Sequence, residues 1–325
     1  MKPLLSFVIP FLNEEETLQE LFRRISETVE GLSEPHPFEV IFVDDGSTDG
    51  SVAKVEELAR SHSNVTLIQL RGNFGKSAAL AAGFERARGE IVFTMDADLQ
   101  DDPKEIPRFL EKLEEGYDVV SGFKKKRHDP WHKVIPSRIF NWMVRKLSGV
   151  PLRDVNCGFK AYRGEVVRAV RLYGEMHRFV PVLAHSRRFR IAELVVEHHP
   201  RRFGVSKFGA GRFYRGLMDL FTVVFLLKFD RKPMHFFGLP GLASVGAGLA
   251  ICAYLTALWL LGEPIGQRPL LILGVLLLVV GVQILATGLI AELLVHLGTK
   301  DEAPYEIRRI VQGSGEEPSA RSASA

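Results

Sequence analysis

The chain has 325 residues, with 42 lysines and arginines, 39 aspartates and glutamates, and a formal net charge of +3. A chain of this length holds one large domain or two modest ones, and its near balance of charge does not indicate nucleic acid as a partner. Its two cysteines, Cys157 and Cys252, lie far apart in unlike surroundings, which argues against a disulfide framework or a cysteine-based zinc site and fits a reducing compartment.

Residues 1 to about 125 alternate strand-like runs with helix-like stretches. The strand-like runs are LSFVIPF, FEVIFVDD, VTLIQL, EIVFTMD and YDVVSGF. The stretch EEETLQELFRRISETVEGL, which follows the first run, has apolar residues three and four positions apart, as an amphipathic helix does. The alternation predicts βαβ units and a parallel sheet.

Polar clusters follow three of these strand-like runs. They are Asn13-Glu14 after the first run, residues 44–47 (DDGS) after the second, and Asp96-Ala97-Asp98 after the fourth. Ligands of parallel α/β sheets bind at the carboxyl ends of the strands, so the clusters mark a candidate site. For each cluster taken alone, helix capping or turn formation is the alternative interpretation.

The segment TMDADLQDDP, residues 94–103, places Asp96, Asp98 and Gln100 two positions apart. In an extended chain these side chains point to the same side, and a convergence of acids is costly unless they share a cation. Oxygen ligands at this spacing suit Mg²⁺ or Mn²⁺, which take further ligands from substrate phosphates. The alternative is a solvated acidic turn, and Asp101 and Asp102 can begin a helix in either case.

Two long segments near the C-terminus carry no charge. Residues 233–262 and 269–291 contain no Asp, Glu, Lys or Arg, and about 20 apolar residues are enough to cross a bilayer. The alternative is a buried helical pair in a soluble domain. The N-terminal apolar run is too short to be a secretory signal and is broken by a proline, so we expect the chain to start in the cytoplasm.

Basic residues flank the pair of candidate spans. Arg231 and Lys232 precede the first span, and Lys300, Arg308 and Arg309 follow the second, whereas the connection GEPIGQR carries one arginine. The positive-inside rule therefore places both ends of the pair in the cytoplasm.

Four other segments are basic or polar. Residues 137–150 are typical of an amphipathic helix, and the alternative is an ordinary surface helix. Residues 200–212 (PRRFGVSKFGAGR) are typical of a phosphate-binding loop, and the alternative is a solvated basic loop. Residues 212–232 mix basic with large apolar side chains, as interfacial helices do. The small, polar tail from residue 313 is expected to be disordered.

Six motifs stand in order ahead of these spans: VIPFLNEEETL, VDDGSTDGS, GNFGKSAALAAGF, MDADLQDDP, DVNCGFKAYR and RRFGVSKFG. Together, over about residues 5 to 297, they resemble a family 2 glycosyltransferase of the branch with dolichol-phosphate mannosyltransferase and bacterial polyprenyl-phosphate glucosyltransferases. The resemblance implies an α/β fold: a GT-A domain with a Rossmann-like, mostly parallel sheet, then interfacial helices and a two-helix transmembrane hairpin. The implied bounds are 1–211 for the GT-A domain, 212–232 for a juxtamembrane amphipathic segment, 233–297 for two transmembrane helices (about 235–261 and 269–293) and 298–325 for a cytoplasmic tail.

The resemblance also assigns residues to the donor. Those expected to line the nucleotide are Pro10, Leu12, Glu14, Val43 and Asp45. Asp45 would accept a hydrogen bond from the base, and Asp96 and Ala97 would lie near the nucleotide sugar. Asp98 and Gln100 would hold Mg²⁺ or Mn²⁺ next to Asp96, and the metal would bridge the diphosphate.

Four basic residues match positions that bind phosphate in the family: Lys124, Arg138, Arg201 and Lys207. Arg201 and Lys207 would contact the leaving diphosphate, while Lys124 and Arg138 would offset the repulsion between the two anionic substrates. Lys124 departs from the more usual Arg, which grips phosphate through two hydrogen bonds. Asp154 matches an acid near the acceptor in relatives and is expected to be a site residue.

The implied reaction is metal-dependent, inverting transfer of a sugar from a nucleotide-sugar donor, such as UDP-glucose or GDP-mannose, to the phosphate of a membrane polyprenyl phosphate. A phosphate monoester is largely dianionic at pH 7 and needs no strong general base. Glucose, mannose, N-acetylglucosamine and aminoarabinose transfer share these motifs, with uridine or guanosine donors. The implied location is the cytoplasmic membrane, with several spans and the catalytic domain facing the cytoplasm. The membrane helices also offer a surface through which a homo-oligomer could form.

Two rival functions share some of these features. A processive polysaccharide synthase also joins a GT-A domain to membrane helices, but it resembles a longer pattern with a QxxRW motif, which this sequence lacks. The other rival is a nonenzymatic membrane scaffold that has kept the fold and lost turnover. The intact Asp96, Asp98 and Gln100, together with the RxxGxSK loop, argue against it.

Overall fold

The computed structural model describes residues 2–125, 131–170, 172, 176–197, 225, 232–265 and 269–298, with the backbone alone at 131–139 and 295–298. The basic loop at 200–212, nearly all of the segment at 212–232 and the tail after residue 298 lie outside the described residues. The chain divides into two compact units, residues 1–228 and 229–325, and each is described by itself.

The first unit is built on a seven-stranded sheet in the order β3-β2-β1-β4-β6-β5-β7. Every strand pair is parallel except those of β6, which runs antiparallel to both β4 and β5. The strands are β1 Leu5–Phe11, β2 Phe38–Asp44, β3 Val65–Gln69, β4 Ile91–Thr94, β5 Val119–Lys124, β6 Lys160–Arg163 and β7 Ile191–Val196.

The strands form because apolar side chains alternate onto two buried faces. On β1, Phe7 and Ile9 join a core cluster that includes Ile25 of the first helix. Val8 points to the other face and joins a cluster with Val43 of β2. A sheet that is covered on both faces needs such nearly continuous apolar runs, which is why five strands could be read from the sequence.

Helices cover both faces of this sheet. In the first unit they are α1 Leu18–Glu30, α2 Ser51–Ser61, α3 Lys76–Arg86, α4 Ile106–Glu114, α5 Trp131–Ser148, α6 Gly164–Ala169 and α7 Val180–Ser186. Gly83 lets α3 approach the sheet closely, since a Cβ there would lie 2.3 Å from a methyl group of Val8. The amphipathic helix expected at 137–150 begins earlier and ends at Ser148, as α5.

The second unit consists, in its described part, of two long apolar helices, α8 Pro233–Leu260 and α9 Pro269–Gly298. Both are long and apolar enough to cross a membrane, and only 17% and 11% of their most apolar windows are buried inside the protein. Such exposure of leucine and valine suits lipid and argues against a buried pair of helices in a soluble domain. The helices pack closely through small residues, because a Cβ on Gly248 would lie 2.8 Å from the Gly274 carbonyl oxygen.

Candidate active site

The loops after β1 and β2 are tied together at the carboxyl edge of the sheet. Asn13 has a left-handed backbone (φ 56°), and its side-chain oxygen accepts a hydrogen bond from Thr48 N at 2.8 Å. Asn13 N donates to Ser47 Oγ at 2.9 Å, and Glu14 N donates to Ser51 Oγ at 2.8 Å. The first two polar clusters therefore form one connected rim, as their strand-end positions predict.

Asp45 is buried and holds the loop that precedes α3. Its Oδ1 accepts hydrogen bonds from Phe74 N at 2.8 Å and Gly75 N at 3.1 Å, and its Oδ2 accepts from Gly75 N at 3.0 Å. Gly75 has φ 90°, a conformation that favours glycine. A carboxylate offers about four lone-pair positions, so Asp45 can accept a further hydrogen bond. Its contact with a nucleotide base stays a prediction.

Asp96, the first acid after β4, is paired with Lys76 at the start of α3. Space for its carboxylate comes from Gly158, where an added Cβ would lie 2.5–2.6 Å from the carboxylate atoms. Gly158 is held in turn by its carbonyl oxygen, which accepts a hydrogen bond from Thr94 Oγ1 at 3.0 Å. The segment before β6 thus fixes the position of Asp96.

The charges around Asp96 favour its ionised form. Burial raises the pKa of this carboxyl, but the positive charges of Lys76, Lys124 and Lys160 outweigh burial and hold the pKa well below its usual range. Asp96 is therefore an anion at any physiological pH.

At Asp98 the effects that raise the pKa outweigh those that lower it. Burial, together with the charges of Asp96 and Asp101, raises the pKa of Asp98 to about 6, although a hydrogen bond from Gln100 N and the charge of Lys124 act against this. The Gln100 N to Asp98 Oδ1 distance is 3.2 Å. Leu99 between them has φ 58°, a strained backbone for a non-glycine residue. Without a cation, Asp98 carries negative charge that its surroundings do not compensate.

Asp101 and Lys124 form a buried pair under this segment. Lys124 Nζ lies 2.9 Å from Asp101 Oδ1, and the Asp101 side chain is fully buried. The contact is an ion pair, and Asp101 has no other side-chain hydrogen bond among the described residues. Burial lowers the pKa of Lys124, but the charges of Asp101 and Asp96 raise it well above its usual range overall. Lys124 is therefore a fixed cation that already has an anionic partner.

A small cavity of about 20 Å³ opens beside Asp96, room for roughly one water molecule. Its lining includes three basic side chains, Lys76, Lys160 and Arg178, and one carboxylate, that of Asp96. Lys160 begins β6 and is only 3% exposed, and its ammonium donates to the Cys157 carbonyl oxygen. Burial lowers the pKa of Lys160. We call this space the basic cavity.

Two further residues that line the basic cavity are electrically neutral. Burial, with the charges of Lys76 and Arg178, lowers the pKa of His177 to about 2, and its Nδ1 lies 2.9 Å from Ser77 Oγ. Burial raises the pKa of Cys157 to about 12, so it is a thiol rather than a nucleophilic thiolate.

The other predicted site residues are spread around this edge. Pro10 lines the basic cavity, Leu12, Glu14 and Gln100 are half-buried, and Val43, Ala97 and Asp154 are buried. Asp154 Oδ1 accepts a hydrogen bond from Asn156 N at 3.2 Å. Arg138 lies on α5, where only the backbone is described, and Arg201 and Lys207 lie outside the described residues. In the described part of the chain no three His, Cys, Asp or Glu side chains converge as a ready-made metal centre.

The sequence analysis did not assign Lys76, Asp101 or Lys160 to the site, although each lies within a motif quoted above: GNFGKSAALAAGF, MDADLQDDP and DVNCGFKAYR. For Lys76 and Lys160 a signal was available, because each is a charged residue among small or apolar neighbours. Their partners could not be read in the same way. Lys76 and Asp96 are 20 positions apart, and Ser77 and His177 are 100 apart.

Comparison with known proteins decides the family. Residues 6–171, which contain β2 to β6 and all of β1 except its first residue, match the profile of Glycosyl transferase family 2. The chain is a family 2 glycosyltransferase. It is 40% identical over 319 residues to the dodecaprenyl-phosphate galacturonate synthase of Rhizobium johnstonii, covering 94% of this chain and 92% of the relative. It is 36% identical over 328 residues to the undecaprenyl-phosphate 4-deoxy-4-formamido-L-arabinose transferase of Pseudomonas aeruginosa, covering 97% and 93%.

Solved structures place the glycosyltransferase in a known fold. Glucosyl-3-phosphoglycerate synthase of Mycobacterium tuberculosis, crystallised with Mn²⁺, UDP-glucose and phosphoglyceric acid, superposes with a TM-score of 0.54. The sequences are 21% identical, and the match covers 68% of this chain and 80% of that one, so the likeness concerns the fold. It confirms the predicted α/β GT-A fold, which two candidate membrane helices follow.

Proposed function

We propose that this glycosyltransferase transfers a sugar from a nucleotide-sugar donor to the phosphate of a membrane polyprenyl phosphate. The proposal is supported by two relatives, at 40% and 36% identity over nearly the whole chain, that are both named for polyprenyl-phosphate sugars. The two long apolar helices also support it, because a polyprenyl acceptor is confined to a bilayer.

The observation that carries the chemistry is the crowding of acids after β4. Asp96, Asp98 and Asp101 lie close enough for their charges to raise the pKa of Asp98 to about 6. A divalent cation held by Asp98 and Gln100, with Asp96 beside it, would remove this penalty, and carboxylate and amide oxygens suit Mg²⁺ or Mn²⁺. Such a cation would stabilise negative charge on the departing nucleoside diphosphate. The Mn²⁺ in the solved relative supports this assignment.

For the transfer itself the protein mainly has to position the two substrates and stabilise their negative charge. An oxygen of the lipid phosphate attacks the anomeric carbon of the sugar, and the bond from that carbon to the diphosphate oxygen breaks on the opposite face. The electron pair leaves with the nucleoside diphosphate, so the configuration is inverted. The phosphate is already ionised at pH 7 and needs no general base. Lys124 and Arg138 would reduce the repulsion between the anions, with Arg201 and Lys207 on the leaving group and Asp154 near the acceptor.

We further propose that α8 and α9 form a transmembrane hairpin with both ends in the cytoplasm. The proposed organisation is a GT-A domain over 1–211, a juxtamembrane segment over 212–232, the spans within 233–297 and a cytoplasmic tail. A cysteine placed at Gly266, between the spans, should react with an impermeant reagent on intact cells. One placed at Ser314 should react only after permeabilisation. Both positions lie outside the described residues, and the reverse labelling would overturn the topology.

A donor screen tests the proposed function. The purified full-length protein in detergent would be incubated with Mg²⁺ or Mn²⁺, a polyprenyl phosphate and, in turn, several radiolabelled UDP- and GDP-sugars. Organic extraction would then separate lipid product from donor. Label in the organic phase, dependent on the acceptor, is the expected result. A polymeric labelled product would favour a processive synthase instead, and no transfer from any donor would favour an inactive scaffold.

A further inference from the structure

The basic cavity holds more positive than negative side chains. Among its lining residues, Lys76, Lys160 and Arg178 are basic, and Asp96 is the one carboxylate in the described lining. Asp96 is already paired with Lys76. His177 adds no charge at neutral pH, because burial and the neighbouring Lys76 and Arg178 keep its imidazole neutral.

Lys160 is the most deeply buried basic residue of the cavity. It is 97% buried, and within the described part of the chain its ammonium makes one hydrogen bond, to the neutral Cys157 carbonyl oxygen, and no ion pair. An ammonium carries three donors, and a buried charge is expensive unless it is paired. Asp96 and Asp154 offset part of this charge from a distance. An anionic ligand in the cavity would counter the burial that lowers the pKa of Lys160 and would accept the hydrogen bonds that its ammonium does not make among the described residues.

We propose that the basic cavity binds a carboxylate of the donor sugar, as in a nucleotide-activated uronic acid, and that Lys160 is the residue that selects for it. This inference rests on the proposed function and names its donor class. A carboxylate is a small anionic group, and one of its oxygens would occupy the cavity of about 20 Å³, which has room for roughly one water molecule. It would complete the charge-assisted hydrogen bonds that Lys160 lacks.

The donor's diphosphate and the acceptor's phosphate are the other anions that could use these charges. The binding measurement described below excludes the acceptor's phosphate, because it is made without acceptor. In the proposed function the diphosphate lies with the divalent cation at Asp98, and Asp98 is not among the residues that line the basic cavity. The group that enters the cavity then belongs to the neighbouring part of the donor, which is the sugar. A test must therefore separate the sugar from the phosphates.

The test compares donors that differ only at C6 of the sugar, UDP-galacturonate with UDP-galactose and UDP-glucuronate with UDP-glucose, each with free UDP as a reference. Binding to the full-length protein in detergent with Mn²⁺ would be measured by calorimetry, and transfer to polyprenyl phosphate by extraction. The variants are Lys160→Met, which removes the charge, and Lys160→Gln, which keeps a hydrogen-bond donor without charge. Lys54→Met, on α2 outside the cavity, is the matched control.

The wild-type protein should bind one uronate donor about 10- to 100-fold more tightly than its neutral partner, the range expected for one charge-assisted hydrogen bond. Both Lys160 variants should abolish this preference, while their affinity for free UDP stays within about threefold of wild type, which also shows that they are folded. Lys54→Met should keep the preference.

Three results would overturn the inference. The first is equal affinity of the wild-type protein for uronate and neutral donors. The second is an equal loss of affinity for both donor types in the Lys160 variants. The third is an equal loss of affinity for free UDP, which would assign the cavity to phosphate. The proposed function fails separately, if no donor yields labelled lipid while the binding preference persists.

Discussion

Lys76 on α3 forms an ion pair with Asp96 across the carboxyl edge of the sheet, and this pair joins the GNFGK loop to the acidic segment after β4. The contact keeps Asp96 ionised, since the Lys76 charge is the largest of the effects that lower the pKa of Asp96. In the proposed function, the pair also places a cation beside the donor's anionic groups. It is therefore the first contact to test by mutation.

Lys76→Met should raise the pKa of Asp96 and lower the activity at pH 7. The sign follows from the charge: a neutral neighbour no longer favours the carboxylate, so protonation of Asp96 occurs at a higher pH. We expect kcat/KM at pH 7 to fall about 10- to 100-fold, as for loss of a hydrogen bond to a charged group. Lys76→Arg, which keeps the charge, should retain most of the wild-type kcat/KM. Equal losses in the two variants would show that the charge of Lys76 is not what Asp96 requires.

Asp98→Asn should stabilise the metal-free protein while it abolishes metal-dependent activity. The pKa of Asp98 is raised from 3.8 to about 6 in the folded protein, so the native state binds more protons and stability is lost as pH rises from about 4 to 6. Above pH 6 the variant should gain roughly 1–3 kcal/mol, or several degrees in Tm, and at pH 4 the two proteins should be alike.

Thermal unfolding with EDTA and with Mn²⁺ checks this account. Mn²⁺ should raise the Tm of the wild-type protein at pH 7.5 and should have little effect on Asp98→Asn, because binding to the native state alone stabilises it. EDTA should abolish transfer, and Mg²⁺ or Mn²⁺ should restore it. Equal Mn²⁺ stabilisation of both proteins, or full activity in EDTA, would remove Asp98 from the metal site.

Gly158→Ala should reduce activity by roughly 100-fold with the protein still folded, because the new Cβ would lie 2.5–2.6 Å from the Asp96 carboxylate and displace it. Gly246→Ala is the control, since a Cβ there meets nothing within 4 Å. The measurement is kcat/KM beside a circular dichroism melt for each variant. Wild-type activity in Gly158→Ala would show that the position of Asp96 is not critical.

Arg138→Ala should raise the KM for polyprenyl phosphate far more than the KM for the donor, whereas Arg201→Ala and Lys207→Ala should mainly impair donor use. Kinetics with each substrate varied at saturating levels of the other would decide. Equal effects of Arg138→Ala and Arg201→Ala on both substrates would refute this division.

Lys124 needs a paired design, because its partner Asp101 is fully buried. Lys124→Met alone leaves a buried carboxylate without its cation, which costs on the order of 3–5 kcal/mol and obscures any effect on substrate. The double variant Lys124→Met/Asp101→Asn removes both charges and should recover stability. If Lys124 meets the acceptor phosphate, the double variant keeps a raised KM for polyprenyl phosphate. A wild-type KM would restrict Lys124 to its pair with Asp101.

Local sequence pattern was enough for the strands that are apolar on both faces, and β1 has the predicted bounds, Leu5–Phe11. Strand β6 was missed because Lys160 and Arg163 make up half of its four residues, and its place between β4 and β5 comes from long-range pairing. The predicted strand ends placed the acids at the correct edge of the sheet, because the carboxyl ends of neighbouring parallel strands meet there. The Lys76–Asp96 and Lys124–Asp101 pairs depend on tertiary packing, which no local pattern encodes.

The central claim is that the acceptor is the phosphate of a polyprenyl lipid, and mass spectrometry of the lipid product tests it most directly. Polyprenyl phosphate should gain the mass of one anhydro-sugar and keep a single phosphorus atom, and polyprenol without the phosphate should not react. A product with two phosphorus atoms, or equal transfer to polyprenol, would contradict the account.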